Sequence, residues 1–190
     1  MSKSDLWTKK IGELKNVGDK LGMGLDQNII ETVAALNLVG IKTTQSCEGH
    51  LDRALPFPWI QIGSFQDEIV SEKRQKMFEI RKELDKKEQK NLSEKDFTEI
   101  RYLENEINDL IGKALSKPVE FITSFYKTKG GGEGDERLII VDFADGGRIQ
   151  SQGGCVQITR PIDEKTKKLE IYQGEINRFK DFLKDLFFST

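Results

Sequence analysis

Gly40-Ile-Lys-Thr-Thr-Gln-Ser-Cys-Glu-Gly-His50, followed by Trp59-Ile-Gln-Ile62, is the stretch whose reading decides the fold. Ile41 to Gln45 is short and β-branched and reads as a strand, Ser46 to Pro58 is a polar, proline-bearing loop, and Trp59 to Ile62 is the next strand. Immediately upstream, Ile29, Ile30, Val33, Leu36 and Leu38 recur at helical spacing, with Asp26 placed to cap that helix and Gly40 to end it. The order helix, strand, loop, strand puts Cys47, Glu48 and His50 at a strand end, where a rigid scaffold presents functional loops.

Working outward, Leu6, Ile11 and Leu14 suit a short helix over residues 4 to 15 with Ser4 as its cap. Residues 66–117 are rich in both charges and hold no glycine before Gly112. The spacing there predicts two helical arms, one carrying Ile69, Met77, Ile80 and Leu84, the other Phe97, Ile100, Leu103, Ile107, Leu110 and Ile111. Asn91 to Ser93 is the expected tip, with Ser93 and Asp96 as a capping-box variant. Each arm would be about 36 Å long at the helical rise, more than a covering helix needs, so the segment reads as a protruding antiparallel hairpin.

Pro118 suits the first turn of a further helix through Ile122, Phe125 and Tyr126, ended by a flexible Gly130 to Gly134 connector. Residues 137–160 read as a β-meander that includes Cys155 to Thr159 as a strand. Lys165 to Lys168 reads as a basic loop before a helix near 172–188 that buries Ile176, Phe179 and Leu183. The expectation is a single α+β domain over 1–190, a small, mostly antiparallel sheet with packed helices, and 66–117 as an inserted charged helical hairpin.

The 190 residues carry 30 basic and 32 acidic side chains for a net charge of -2, so no global field recommends nucleic acid or an anionic membrane. The first residues lack the apolar core of a signal peptide, and no run approaches the roughly 20 apolar residues that span a bilayer. A cytoplasmic location follows as the expectation. There Cys47 and Cys155 are reduced, which favours a metal or reactive-thiol role over a disulfide.

The chain has one histidine, and it lies three residues after one of two cysteines. Cys47, His50 and Glu48 are therefore the candidate catalytic residues: a cationic His50 in a tight turn stabilises a Cys47 thiolate, and Gly49 permits the positive φ that such a turn uses. Cys47 and His50 also supply two of the four ligands zinc takes, with Cys155 a third only if the strand after Gly154 runs beside residues 41–45. A carboxylate or water would complete that set.

A second reading makes the loop a recognition element, in which Thr43, Thr44, Ser46, Arg53 and Arg148 offer donors to a phosphate, carboxylate or nucleotide and Trp59 or Phe57 stacks on it. A third makes Cys47 a small buried hydrophobe and His50 a turn residue. Asp145 to Gly154 offers a glycine-rich anion cradle without Walker or Rossmann spacing, and Asp142, Asp145 and Glu48 offer an acidic magnesium site.

The stretch Gly40 to His50, with Pro56, Pro58 and Trp59-Ile-Gln-Ile, resembles an element of a family of small, uncharacterised bacterial proteins. It also resembles, more faintly, the Ser-Ser-Cys-Ser-Gly-Arg element of the methyltransferase family of tRNA wybutosine synthesis. Ser46, Cys47 and Gly49 match, whereas Glu48 and His50 stand where that family has serine and arginine. The resemblance implies a pocket-lining loop and no carried-over activity, because the arginine suited to RNA or cofactor contact is missing.

The expected function is the binding of a small anionic or nucleotide-like ligand at Thr43 to His50, with thiol- or metal-assisted catalysis open. The alternative is an interaction or scaffold protein acting through the hairpin, as a homodimer, with a structural Cys/His turn.

Overall fold

The computed structural model describes residues 1–18, 22–63, 68–86, 94–143 and 146–189. It is an α+β structure whose four strands, β1 (Thr43–Cys47), β2 (Trp59–Ile62), β3 (Leu138–Phe143) and β4 (Gly146–Ser151), form one antiparallel sheet in the order β1-β2-β4-β3. The helices are α1 (Lys3–Lys15), α2 (Ile30–Leu38), α3 (Glu68–Leu84), α4 (Glu94–Lys129) and α5 (Ile162–Ser189). Among the described residues, no helix is long and apolar enough to cross a membrane.

Antiparallel pairing fixes what each sheet face carries, because opposed residues point the same way and neighbours along a strand alternate. Ile60 opposes Ile149, which opposes Ile140, and the first two are fully buried against the helices. Phe125 of α4 and Phe179 of α5 meet edge to face at 5.4 Å between ring centroids, in one cluster with Leu36 of α2. The other face carries the row Cys47, Trp59 and Gln150.

The helix ends follow local chemistry. The cap of α1 is Ser2 rather than Ser4: its hydroxyl accepts from the Asp5 amide at 3.1 Å, and the Asp5 carboxylate accepts from the Ser2 amide at 3.0 Å. Gly40, at φ +85°, closes α2 in the left-handed conformation, and the Ile41 amide donates to the Leu36 carbonyl at 2.8 Å. Asp26 does not cap α2, whose first turn has no side-chain cap.

The segment expected as a hairpin over 66–117 is built differently. Its second arm does not end near Lys117; α4 runs unbroken through Pro118 for 36 residues, joining the expected arm and the next helix into one rod of about 54 Å. The proline removes one backbone hydrogen bond, and a proline inside a helix costs about 3 kcal/mol. Burial on both sides offsets it: Ile100, Leu103 and Ile107 are buried on one side of the proline, Ile122 and Phe125 on the other. Lys73–Glu106 at 2.7 Å, Lys76–Glu99 at 2.7 Å and Arg81–Glu104 at 2.6 Å link α3 to α4. The tip at Asn91 to Ser93, Asp145 and the side chains of Asp96 and Asp142 lie outside the described residues.

Two further expectations are corrected. Gly154–Thr159 is a 3-10 helix, not a strand, so the meander stops at the β3–β4 hairpin. Lys165 to Lys168 lies inside α5, which starts at Ile162 rather than near 172. The Gly130 to Gly134 connector is tied down at one end, where the Arg178 guanidinium donates to the Gly130 carbonyl at 2.7 Å.

Candidate functional site

Where β1 ends, the chain leaves the sheet through Gly49 at φ +87°. A Cβ there would stand 2.6 Å from the Leu169 side chain and 2.8 Å from the Phe57 backbone, so only glycine fits. The turn is pinned from two sides: the His50 amide donates to the Leu55 carbonyl at 2.9 Å, and the Gln173 side chain of α5 donates to the Glu48 carbonyl at 3.0 Å. Cys47 and His50 are thereby held on one side of the loop.

Asp26 meets them from the segment before α2. Its Oδ2 accepts from the Glu48 amide at 3.0 Å and lies 3.0 Å from His50 Nε2, while Arg53 approaches its Oδ1 at 3.6 Å. One ligand atom each from Asp26, Cys47 and His50 falls within 4.8 Å of the other two, with Cys47 buried and its partners half-buried. Asp26 is the residue sequence reasoning missed. The sequence marks it as a helix cap, and its only further signal is being a carboxylate in a loop before a helix that leads into the motif strand.

The electrostatics are those of an anionic cluster. Burial by itself would raise the Asp26 carboxyl, but the Glu48 amide, His50 and the Cys47 side chain outweigh it and hold that carboxyl below the usual range. Burial pushes the Cys47 thiol up; the Gly49 amide, 3.4 Å from Sγ, counteracts this, and the Asp26 charge adds to the rise. The sequence-based expectation had His50 stabilising a thiolate. Instead His50 Nε2 faces Asp26, and the carboxylate beside the sulfur favours the protonated thiol. A bare thiolate nucleophile is poorly served by such surroundings, whereas a divalent cation beside the sulfur would favour the thiolate.

No family model, curated protein or solved structure matches this chain.

The remaining candidate residues scatter. The Glu48 carboxylate accepts from the Asn28 amide at 2.9 Å, tying the loop to the turn before α2. Thr43 Oγ1 accepts from Asn37 at 2.8 Å, at the opposite end of β1 from Cys47, and Thr44 is exposed and Ser46 half-buried along the strand between. Arg53 lies at the rim, 54% exposed. Arg148 stacks its guanidinium 4.2 Å from the Trp59 ring centroid on the sheet face that Cys47 shares.

Cys155 does not join the cluster. The condition set for it fails because β2 stands between β1 and β4 and the segment after Gly153 is helical. Its exposed sulfur accepts from Gln150 Nε2 at 3.3 Å instead. Among the described residues, Asp26 with Cys47 and His50 is the one group of three such ligands.

Proposed function

We propose that Asp26, Cys47 and His50 hold one zinc ion and that the protein binds a small anionic ligand at the metal's remaining position. The observation that carries this reading is the convergence of a carboxylate oxygen, a thiol sulfur and an imidazole nitrogen within 4.8 Å. Mixed sulfur, nitrogen and oxygen donors suit zinc, and three protein ligands leave the fourth tetrahedral position to water or ligand, as in catalytic rather than structural sites. Zinc supplies Lewis acidity and lowers the pKa of bound water, which is the chemistry of metal-assisted hydrolysis. Arg53 at the rim gives an anionic ligand a second positive charge. Nucleotide-like ligands fall within the same class through their phosphates.

Cobalt substitution tests the proposal. Purified protein should take up one equivalent of Co2+ with a sulfur-to-cobalt charge-transfer band in the near ultraviolet and the intense visible bands of four-coordination. Cys47→Ser should remove the first band. Asp26→Asn and His50→Ala should each weaken zinc binding by more than the roughly tenfold to hundredfold that loss of an outer-shell partner costs. Uptake of less than half an equivalent, or a spectrum unchanged in Cys47→Ser, would sink the idea.

The outer faces of α3 and α4 support a second reading, contact between two copies through the hairpin: Phe78 and Tyr102 are both largely exposed there.

A further inference from the structure

At the opposite end of β1 from the Asp26 group, a cavity of about 360 Å³ opens between the start of that strand and the middle of α4, roofed by α3. It is large enough for a small-molecule ligand, for which pockets of roughly 300–1,000 Å³ are usual. Its walls are aliphatic: Ile41 from the segment just before β1, Val70 from α3, and Leu110, Leu115 and Pro118 from α4. Each charged residue among those that line it is a cation, namely Lys42, Arg74, Lys113 and Lys117.

Those four come from three parts of the chain, so their grouping is a product of the fold. Lys42, Lys113 and Lys117 make no ion pair with any described residue, although the adjoining surface of α3 and α4 is laced with cross-helix pairs. Lys117 reaches over Gly40, where an added Cβ would stand 3.0 Å from its ammonium nitrogen. Lys117 is exposed, and lysines gathered around one cavity without an ion pair among the described residues favour an anion there.

The lining also says what does not bind. Among the described residues that line it there is no aromatic ring to stack a nucleobase and no carboxylate, histidine or cysteine to hold a metal. Aliphatic walls below a cationic rim match one chemistry, an apolar chain ending in an anion. We propose that this cavity binds a single-chain anionic amphiphile, with its alkyl chain between α3 and α4 and its head among the lysines. The site is separate from the zinc proposal and does not depend on it.

Titration calorimetry on the full chain tests this, with dodecanoate and dodecyl phosphate as probes below their micelle concentrations. Both should bind saturably at one site, and preference between them reports which head the rim takes. Dodecanol and inorganic phosphate should each bind at least tenfold more weakly, because each lacks one half of the match. Lys113→Gln combined with Lys117→Gln should weaken dodecanoate binding by at least about tenfold, in line with loss of a charge-assisted hydrogen bond.

Ala114→Phe, at an exposed helical position on the cavity wall, should obstruct the chain while leaving the lysines in place. Melting curves matching the parent protein keep these losses attributable to the site. Failure of both probes to bind, equal binding of dodecanol, equal binding of inorganic phosphate, or full affinity in both variants would each overturn the proposal. Zinc uptake is read separately and is expected to be unchanged in these variants.

Discussion

Gly49 and Asp26 set the candidate site residue by residue. Gly49 turns the chain where a side chain would strike Leu169 and Phe57. Gly49→Ala is expected to cost about 1–3 kcal/mol through overpacking, with further loss from a φ that alanine resists, and urea unfolding measures it. The same variant should lose zinc affinity, because Cys47 and His50 are spaced by that turn.

Titration gives a prediction of opposite sign at each end of the pH scale. The Asp26 carboxyl is lowered in the fold, so its stabilisation is present above the ordinary value of 3.8 and is lost as pH falls through the lower folded value. The Cys47 thiol is raised, so the folded state keeps a proton the unfolded chain releases, and stability falls as pH rises above 9.0. Thermal melts of metal-free protein should show both limbs. Asp26→Asn should flatten the acid limb, and Cys47→Ala should flatten the alkaline one.

At the scale of elements, much was legible in particular residues. The spacing of Ile30, Val33 and Leu36 with Gly40 behind them marked α2 and its end, because an apolar stripe and a left-handed glycine are local properties. The strand at 59–62 was legible for the same reason, whereas the strand expected over 41–45 lies two residues further on, at 43–47, so that Ser46 and Cys47 belong to the sheet and not to the loop. Pro118 misled because its local preference is for a helix start, and burial on both sides of it overrides that preference. Cys155 to Thr159 misled because a β-branched run carries no mark of the 3-10 turn that packs Gly154 against the Phe57 ring.

Pro118→Ala restores the missing amide and is expected to stabilise the protein by about 1–3 kcal/mol, part of the usual penalty for an interior proline being retained as lost packing. A denaturation midpoint moved downward would show that the buried proline ring matters more than the hydrogen bond.

For the molecule as a whole, α4 belongs both to the hairpin with α3 and to the main core. Its first half pairs with α3 and its second half enters the main core through Ile122 and Phe125. If copies meet through the hairpin, Phe78→Glu with Tyr102→Glu should reduce the mass found by light scattering to that of one chain. An unchanged mass in the variant, or a parent protein already of single-chain mass, would remove the contact from consideration.

The sequence by itself determined the α+β class, the helix and strand carrying the motif, and the pairing of Cys47 with His50 in one turn, because periodicity, caps and short spacings act over a few residues. Only the tertiary structure decided that Asp26, 21 positions before Cys47, completes the cluster while Cys155 does not, and that four cations from three segments line one cavity. Such groupings depend on strand order, helix packing and which groups burial leaves together, and those are properties of the folded chain that no local window of sequence contains.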